Sequence, residues 1–370
     1  MKTFRHLLCL CLLLFPLAGK AQWQPVQEQE DNNTPEHAQL ISNMSRVTGE
    51  LGKTLGQERD AYDYYKIVLE DDGKVELAWS LPATQAHYWI ELFEAKDGLG
   101  NLRGGKHIKS EETQSAVTHT FSCDGLAKGT YYVRLYMQQK FGGYTLDYKH
   151  VPPSLTNDPE PNDKPETAVK LNSGKQVSGR LGYRYHDYTD KYDHYKIVLE
   201  DDGKVELAWS LTATQAHYWI ELYEDKDGLG SQRGSKHISA EETKNAAIHT
   251  FSCDGLAKGT YYVRLYMQQN FGGYTLDYKH VPSTFKNDAE SNDKPEKAVL
   301  LNSGKQVSGR LGYSYHGYTD QHDYYKVVLE DDGKVEFAWS LPATQAHYWI
   351  ELFEAKDGLG SQRGSKHISA

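Results

Sequence analysis

Apolar and polar side chains alternate through most of this chain. In "GKVELAWSL", Val75, Leu77 and Trp79 fall on one face and Glu76, Ala78 and Ser80 on the other, the two-residue period of a half-buried strand. The segments "YKIVLE", "HYWIELFE", "THTFSC", "GTYYVRLYM" and "GGYTLDYKH" read the same way. Between them stand Asp72-Gly73, Asp97-Gly98 and Asp124-Gly125, dipeptides suited to hairpin turns. No stretch after the first residues combines a helical period with caps. Many short strands at this spacing predict an all-β chain of antiparallel β-sandwiches, jelly-roll-like in kind.

The pattern repeats. "YKIVLEDDGKVELAWSL" begins at Tyr65 and again at Tyr195, and "YKVVLEDDGKVEFAWSL" at Tyr325, a period of 130 residues. Solenoid units are shorter, about 20 to 50 residues, because each is one supersecondary piece; a unit of this length can bury its own core. The reading is three tandem domains, 22–152, 153–282 and 283–370. The third matches the second only as far as Ala240. A sandwich without the strands that follow would expose an apolar face and open edges, so the third domain is expected to be incomplete here and the protein to be longer.

The first residues follow another rule. Lys2 and Arg5 precede an apolar run from Leu7 to Leu17, followed by Ala18, Gly19 and Ala21, the order of a cleaved signal peptide over 1–21. No later run approaches the roughly 18 apolar residues of a spanning helix, so a secreted or cell-surface protein without membrane insertion is expected. A net charge of −10 argues against nucleic acid, which needs a basic face. Beyond the leader only Cys123 and Cys253 remain, one per repeat, which reads as small buried apolar residues rather than a disulfide framework.

Candidate chemistry lies ahead of each repeated block. The blocks from residue 66 onward are nearly identical, so sameness there says little; the stretches before them have drifted. What survives is oxygen-bearing: Glu30, Asn32, Asp60 and Asp63; Glu160, Asn162, Asp190 and Asp193; Glu290, Asn292, Asp320 and Asp323. A carboxylate stands two residues before each set, at Glu28, Asp158 and Asp288, and Asn33, Asp163 or Asp293 follows the asparagine. Such a set suits calcium, which takes about six to eight oxygens in irregular geometry. It is not an EF-hand, because Asp163 and Val169 occupy the positions that would be glycine and glutamate. A solvated acidic tether accounts equally for the composition.

In order, E-x-N-D, "A-V-x-L", "V-S-G-R-L", D-x-x-D-x-Y, "G-T-Y-Y-V-R-L-Y" and "Y-T-L-D-Y" resemble the bacterial pre-peptidase C-terminal domain, a family similar to the collagen-binding domains of clostridial collagenases. The resemblance spans two full copies and one partial copy. It implies a β-sandwich that accompanies secreted hydrolases and binds calcium through its N-terminal linker. The implied ligands are Asp158, Glu160, Asn162, Asp163, Asp190 and Asp193, with Ser178 through its hydroxyl or backbone. In the third copy they are Asp288, Glu290, Asn292, Asp293, Asp320 and Asp323, with Ser308. The first copy departs, with Asn33 and Thr48 in place of aspartate and serine.

Tyr183, Tyr185 and Tyr188, echoed by Tyr313, Tyr315 and Tyr318, offer a candidate platform for collagen-like peptide or sugar rings, against ordinary tyrosine enrichment in β structure. His87, His217 and His347 read as packing residues, and His107 lacks a partner carboxylate or cysteine at diagnostic spacing. "LEDDGKVEL" is given no function beyond a hairpin turn. No G-x-S-x-G or H-E-x-x-H is present. The expectation is a non-catalytic, calcium-stabilised array for adhesion to, or targeting of, extracellular protein or polysaccharide. Two alternatives stand: the accessory region of a secreted peptidase or other hydrolase whose catalytic domain lies beyond residue 370, and a passive spacer.

Overall fold

The computed structural model describes residues 22–55, 58–341 and 346–369; the segment read as a leader, with Cys9 and Cys11, lies outside them. The chain divides into two compact units: the residues up to Ser154 together with Gly182–Asp190, and Leu155–Leu181 together with Lys191 onward. No described helix is long and apolar enough to cross a membrane.

The first unit contains β1 (Gln24–Gln27), β2 (Gln39–Leu40), β3 (Ser45–Leu51), β4 (Thr54–Leu55), β5 (Glu58–Arg59), β6 (Tyr62–Leu69), β7 (Gly73–Leu81), β8 (His87–Ala95), β9 (Leu99–Ile108), β10 (Val117–Leu126), β11 (Gly129–Gln138) and β12 (Gly142–Val151). One sheet runs β1-β3-β12-β7-β10 and the other β2-β6-β11-β8-β9. The body of each sheet is antiparallel, as the alternation predicts, but one edge of each is not: β1 lies parallel to β3 and β2 parallel to β6. These parallel edges come from the linker, which enters alongside the strands it precedes.

The predicted apolar face closes the core. Val75, Leu77, Trp79 and Leu81 of β7 are buried with Tyr131, Val133 and Leu135 of β11. The Trp79 ring meets Tyr88 edge-on at 5.2 Å and Tyr144 at 6.1 Å, the geometry aromatic quadrupoles favour.

Of the three dipeptides read as hairpin turns, one is such a turn. Asp97 and Gly98, at φ 47° and 104°, join β8 to β9. Asp72-Gly73 instead carries the chain from one sheet to the other, because β6 and β7 belong to different sheets. A Cβ at Gly73 would lie 2.4 Å from the Val151 carbonyl, so only glycine permits this crossing. Asp124-Gly125 lies within β10 where its register to β7 shifts, a bulge rather than a turn.

The second unit repeats the sandwich. Its five-stranded sheet is Val169–Lys170, Tyr192–Leu199, Gly259–Gln268, His217–Asp225 and Leu229–Ile238; the other contains Lys175–Leu181, Gly272–Pro282, Gly203–Leu211 and Ala247–Leu256. In both units the latter sheet is finished by a ribbon belonging, by the sequence period, to the next repeat. In the first unit it is Arg184–Tyr185 with Tyr188–Thr189, where Arg184 pairs with Leu126. In the second it is Ser314–Tyr315 with Tyr318–Thr319, where Ser314 pairs with Leu256.

Glycine makes room for each ribbon: a Cβ at Gly129 would sit 2.5 Å from the Tyr185 ring, and one at Gly259 2.7 Å from the Tyr315 ring. The "LEDDG" run also has a structural task. Asp201 and Asp202 accept hydrogen bonds from the Arg310 guanidinium at 2.5 and 3.0 Å, holding the third repeat to the second within this unit.

The third repeat contributes a parallel pair, Val299–Leu300 with Tyr325–Lys326, and a hairpin, Tyr348–Ala355 with Leu359–Ile368. Residues 327–341 form no strand. Trp339 is 36 % exposed, whereas its counterparts Trp79 and Trp209 are fully buried. Limited proteolysis of this chain should therefore cut within 327–341 first; equal resistance of the same segment in all three repeats, mapped by mass spectrometry, would contradict the description.

A candidate metal centre at the linker

In the first repeat the linker is brought to the sheets by β1, and the Glu28 N–H donates to the Thr48 carbonyl at 3.0 Å. This carries the Glu28 carboxylate over β3, β6 and β12. Glu28 Oε1 accepts from the hydroxyls of Tyr65 at 2.9 Å and Tyr144 at 2.7 Å, and Oε2 accepts from the Glu50 N–H at 2.8 Å. The Tyr144 hydroxyl also lies 2.5 Å from Asp63 Oδ2 and 2.5 Å from the Tyr65 hydroxyl. Each phenol has one proton to donate. Two protons cannot fill all these short contacts, so a carboxyl proton or a cation must supply the remainder.

The second repeat builds the same arrangement. Tyr195 donates to Asp158 at 2.5 Å and touches the Tyr274 hydroxyl at 2.6 Å, while Tyr274 donates to Asp193. Carboxylate oxygens of Asp158, Glu160 and Asp193 lie within 4.8 Å of one another. In the third repeat Tyr325 donates to Asp288.

Each linker asparagine is fully buried, and its backbone carbonyl accepts from Tyr64, His194 or Tyr324 at 2.9 to 3.0 Å. Its amide N–H donates to the leading carboxylate, Glu28 at 3.3 Å, Asp158 at 2.5 Å or Asp288 at 2.8 Å. The amide oxygen is thereby turned inward. Oδ1 of Asn32, Asn162 and Asn292 is buried without a donor, as is one oxygen each of Asp60, Asp63, Asp158, Asp288, Asp320 and Asp323. A buried polar atom left unpaired costs about 1 to 3 kcal/mol, more when charged. Several anionic oxygens converging without donors are the chemistry a hard cation satisfies.

Proximity and burial raise these acids. Asp60 is pushed up to about 7 by burial and then by Glu30 and Glu28. Asp63 is pushed to about 10, by burial first and Glu28 next. Glu160 rises to about 7, Asp320 to about 8 and Asp323 to about 7, in each case through burial before the neighbouring carboxylates.

Most residues expected at the site therefore converge: Glu28, Glu30, Asp60 and Asp63 with Asn32 in the first repeat, Asp158, Glu160 and Asp193 with Asn162 in the second, and Asp288, Glu290, Asp320 and Asp323 with Asn292 in the third. Asp163 is half-buried, and Asp293 accepts from Tyr318. Asp190 closes the base of the ribbon in the first unit, where its N–H donates to the Tyr183 carbonyl at 3.1 Å. The Ser178 and Ser308 hydroxyls point to the linker backbone instead, donating to Thr156 and Lys286 carbonyls at 2.8 and 2.7 Å.

The tyrosines do not form one exposed platform. Tyr183 is buried and Tyr185 packs half-buried against the core of the first unit. Tyr313 and Tyr315 are half-buried, while Tyr188 and Tyr318 are exposed.

The phenol pairs Tyr65 with Tyr144 and Tyr195 with Tyr274 stand in the quoted D-x-x-D-x-Y and Y-T-L-D-Y motifs, but sequence reasoning gives them no place at the site because the partners of each pair are 79 residues apart. Gly49, Gly179 and Gly309 are retained in the drifted stretches, but their closeness to the site shows only in the structure. A Cβ at Gly179 would fall 2.3 Å from the Tyr274 hydroxyl and 2.9 Å from an Asp158 oxygen, so this glycine clears the space the site occupies. Beside the first site a cavity of about 210 Å³ is lined by Gln27, Glu28, Glu30, Glu50 and Lys53.

No family model matches the chain, and no curated protein does. Among solved structures it is similar to the pre-peptidase C-terminal domain of a collagenase from Bacillus anthracis, with 18 % identity over 34 % of this chain and 100 % of that one, at a TM-score of 0.22. It is also similar to the CBM22-1–CBM22-2 tandem domain of Xyn10C from Paenibacillus barcinonensis, with 9 % identity over 64 % and 92 % of the two chains, at a TM-score of 0.22. Tripeptidyl peptidase 2 aligns at 10 % identity over 73 % of this chain and 25 % of its own, with a TM-score of 0.21.

The raised acids fix a pH dependence. An aspartate that titrates near 3.8 unfolded and about 7 to 8 folded binds its proton more tightly in the folded state. Its stabilising effect is complete below the unfolded value and is lost as pH rises through the folded one. In a chelating buffer the melting temperature should fall between about pH 4 and pH 8; a flat or rising profile across that window would show that these carboxyls do not repel one another.

Proposed function

We propose that the chain is a non-catalytic array of β-sandwich modules, each tied to its own linker by calcium, that works outside the cell to hold or target extracellular protein or polysaccharide. One observation carries the calcium reading: in every repeat the linker asparagine oxygen and at least one neighbouring carboxylate oxygen are buried without a hydrogen-bond donor. A carboxyl proton relieves the repulsion at one oxygen and donates one hydrogen bond, whereas a single calcium ion accepts about six to eight oxygens at once. The residues that would hold the ion are the leading carboxylate, the glutamate and asparagine two and four residues later, and the aspartates before the repeated block: Asp60 and Asp63 in the first repeat, Asp193 in the second, and Asp320 and Asp323 in the third. Calcium supplies positive charge and a flexible coordination shell there. The apparent leader supports export, and the charge of −10 disfavours a polyanionic partner.

Calcium bound only by the folded state stabilises by mass action, about 2.7 kcal/mol at a hundredfold excess over the dissociation constant. Calorimetric titration of the whole chain should show saturable heat that varies with the ionisation enthalpy of the buffer, because acids raised to about 7 and about 10 release protons when the ion enters. Asp63→Asn imitates the protonated carboxyl. It should leave the melting temperature in chelator nearly unchanged at pH 7 while removing the calcium increment of the first repeat. An undiminished increment in D63N, or no calcium heat in the parent, would sink the reading. Retention of the chain on immobilised collagen, chitin or cellulose tests the binding role, and passage through all three columns would favour a spacer.

A further inference from the structure

The outer face of the five-stranded sheet carries a second cluster, unrelated to the linker. Along β8 the outward-facing, half-buried positions include His87, Trp89, Glu91 and Phe93. Register places Tyr62, Tyr136, Trp89 and His107 directly opposite one another on β6, β11, β8 and β9. Their rings form one rung. Tyr62 stacks on Tyr136 at 4.6 Å, Tyr136 meets Trp89 at 5.0 Å, and Trp89 stacks on His107 at 4.3 Å and 5°. Face-to-face stacking leaves ring edges to solvent, which is the wrong presentation for a sugar ring that needs an open aromatic face.

The rung ends on imidazole nitrogens. His87 lies diagonal to His107 across the β8–β9 hairpin, with Nδ1 of the first 3.1 Å from Nε2 of the second. The same pair recurs at His217 and His237, 3.0 Å apart, and at His347 and His367, 3.2 Å apart. In each case a tryptophan backs the second ring, with Trp219 stacked on His237 at 4.5 Å and Trp349 on His367 at 4.7 Å.

We propose that these three histidine pairs are chelating sites for a divalent transition-metal ion that prefers imidazole. Two metal–nitrogen bonds of about 2.0 to 2.1 Å, spread at an angle between square and tetrahedral, hold their nitrogens about 2.8 to 3.4 Å apart. The observed separations fall inside that span, and the hairpin with its tryptophan stack sets them before any ion arrives. Each neutral imidazole can keep its single N–H on the ring nitrogen facing away from the pair. Both facing nitrogens then offer lone pairs, and binding requires no net loss of a proton. Two protein ligands leave the remaining positions to water, so the site is open. It is chemically distinct from the linker cluster, whose donors are all oxygens.

The test uses the whole chain with Ni²⁺ as the probe, in buffer containing millimolar calcium so that oxygen sites are already engaged. Calorimetry should show three nickel ions per chain. Tryptophan emission should be quenched, because a paramagnetic ion at the pair sits next to the ring stacked on it. His107→Gln should remove one of the three sites and its share of the quenching. The triple variant H107Q, H237Q and H367Q should bind at least tenfold more weakly. These side chains are at the surface, so unchanged melting temperatures will confirm that all variants fold. A triple variant that titrates and quenches like the parent, or a parent that takes up no nickel at millimolar ion, would overturn the proposal.

Discussion

The structure turns on burying like charges together. Carboxylates from a linker and from a strand meet over two phenols with too few protons between them. At about 4 Å two unit charges repel by about 4 kcal/mol at an effective dielectric of 20, so the assembly cannot remain fully ionised and uncompensated. Burial and the neighbouring carboxylates raise Asp60 and Asp63 toward their protonated forms, and a cation would offset the same repulsion. The linker's position depends on this choice, since Glu28 and Asn32 are among the groups that tie it to β6 and β12.

A second constraint acts between neighbouring repeats. Glu94 and Glu224 are almost completely buried, and a buried carboxylate needs partners. Glu224 has Arg233 at 3.4 Å and receives the His316 N–H at 2.7 Å; Glu94 has Arg103 at 3.3 Å and the His186 N–H at 2.8 Å. The ribbon therefore covers an otherwise open sheet edge and completes the shell of an interior charge. In the first repeat the equivalent strands β4 and β5 form a two-stranded sheet of their own among the described residues.

The sandwich was legible because alternation is a local signal. Val75, Leu77 and Trp79 cannot all be buried except by a strand with one face on a core. The acid set was legible for a different reason: oxygens persisted where the surrounding linker had changed. Three features were hidden by distance or by sameness. Asp72-Gly73 resembles a hairpin turn because turn chemistry and sheet crossing both need a glycine, and only the location of β7 distinguishes them. The ribbon at 182–190 reads as a binding loop because its tyrosines look exposed until Gly129 and Glu94 of the preceding repeat are brought to it. His87 and His107 are separated by a hairpin whose register fixes their meeting, and the alternation of β8 alone does not show that its outward-facing histidine has a neighbour.

The acid cluster and the ribbon share a residue. Within the second unit, Asp320 closes the base of the ribbon: its carbonyl accepts from Gly312 at 2.6 Å and its N–H donates to Tyr313 at 3.0 Å. The same aspartate is raised to about 8 by burial and by Asp323, Glu290, Asp293 and Asp288, while the ribbon tip places Tyr315 over Gly259 and His316 on Glu224. Charge at the root and packing at the tip are thus separated by only a few residues of hydrogen-bonded ribbon. Neutralising the neighbouring carboxylates removes the charges that raise Asp320. Within this unit the acid cluster of the third repeat and the sheet edge of the second are thus joined through one short ribbon.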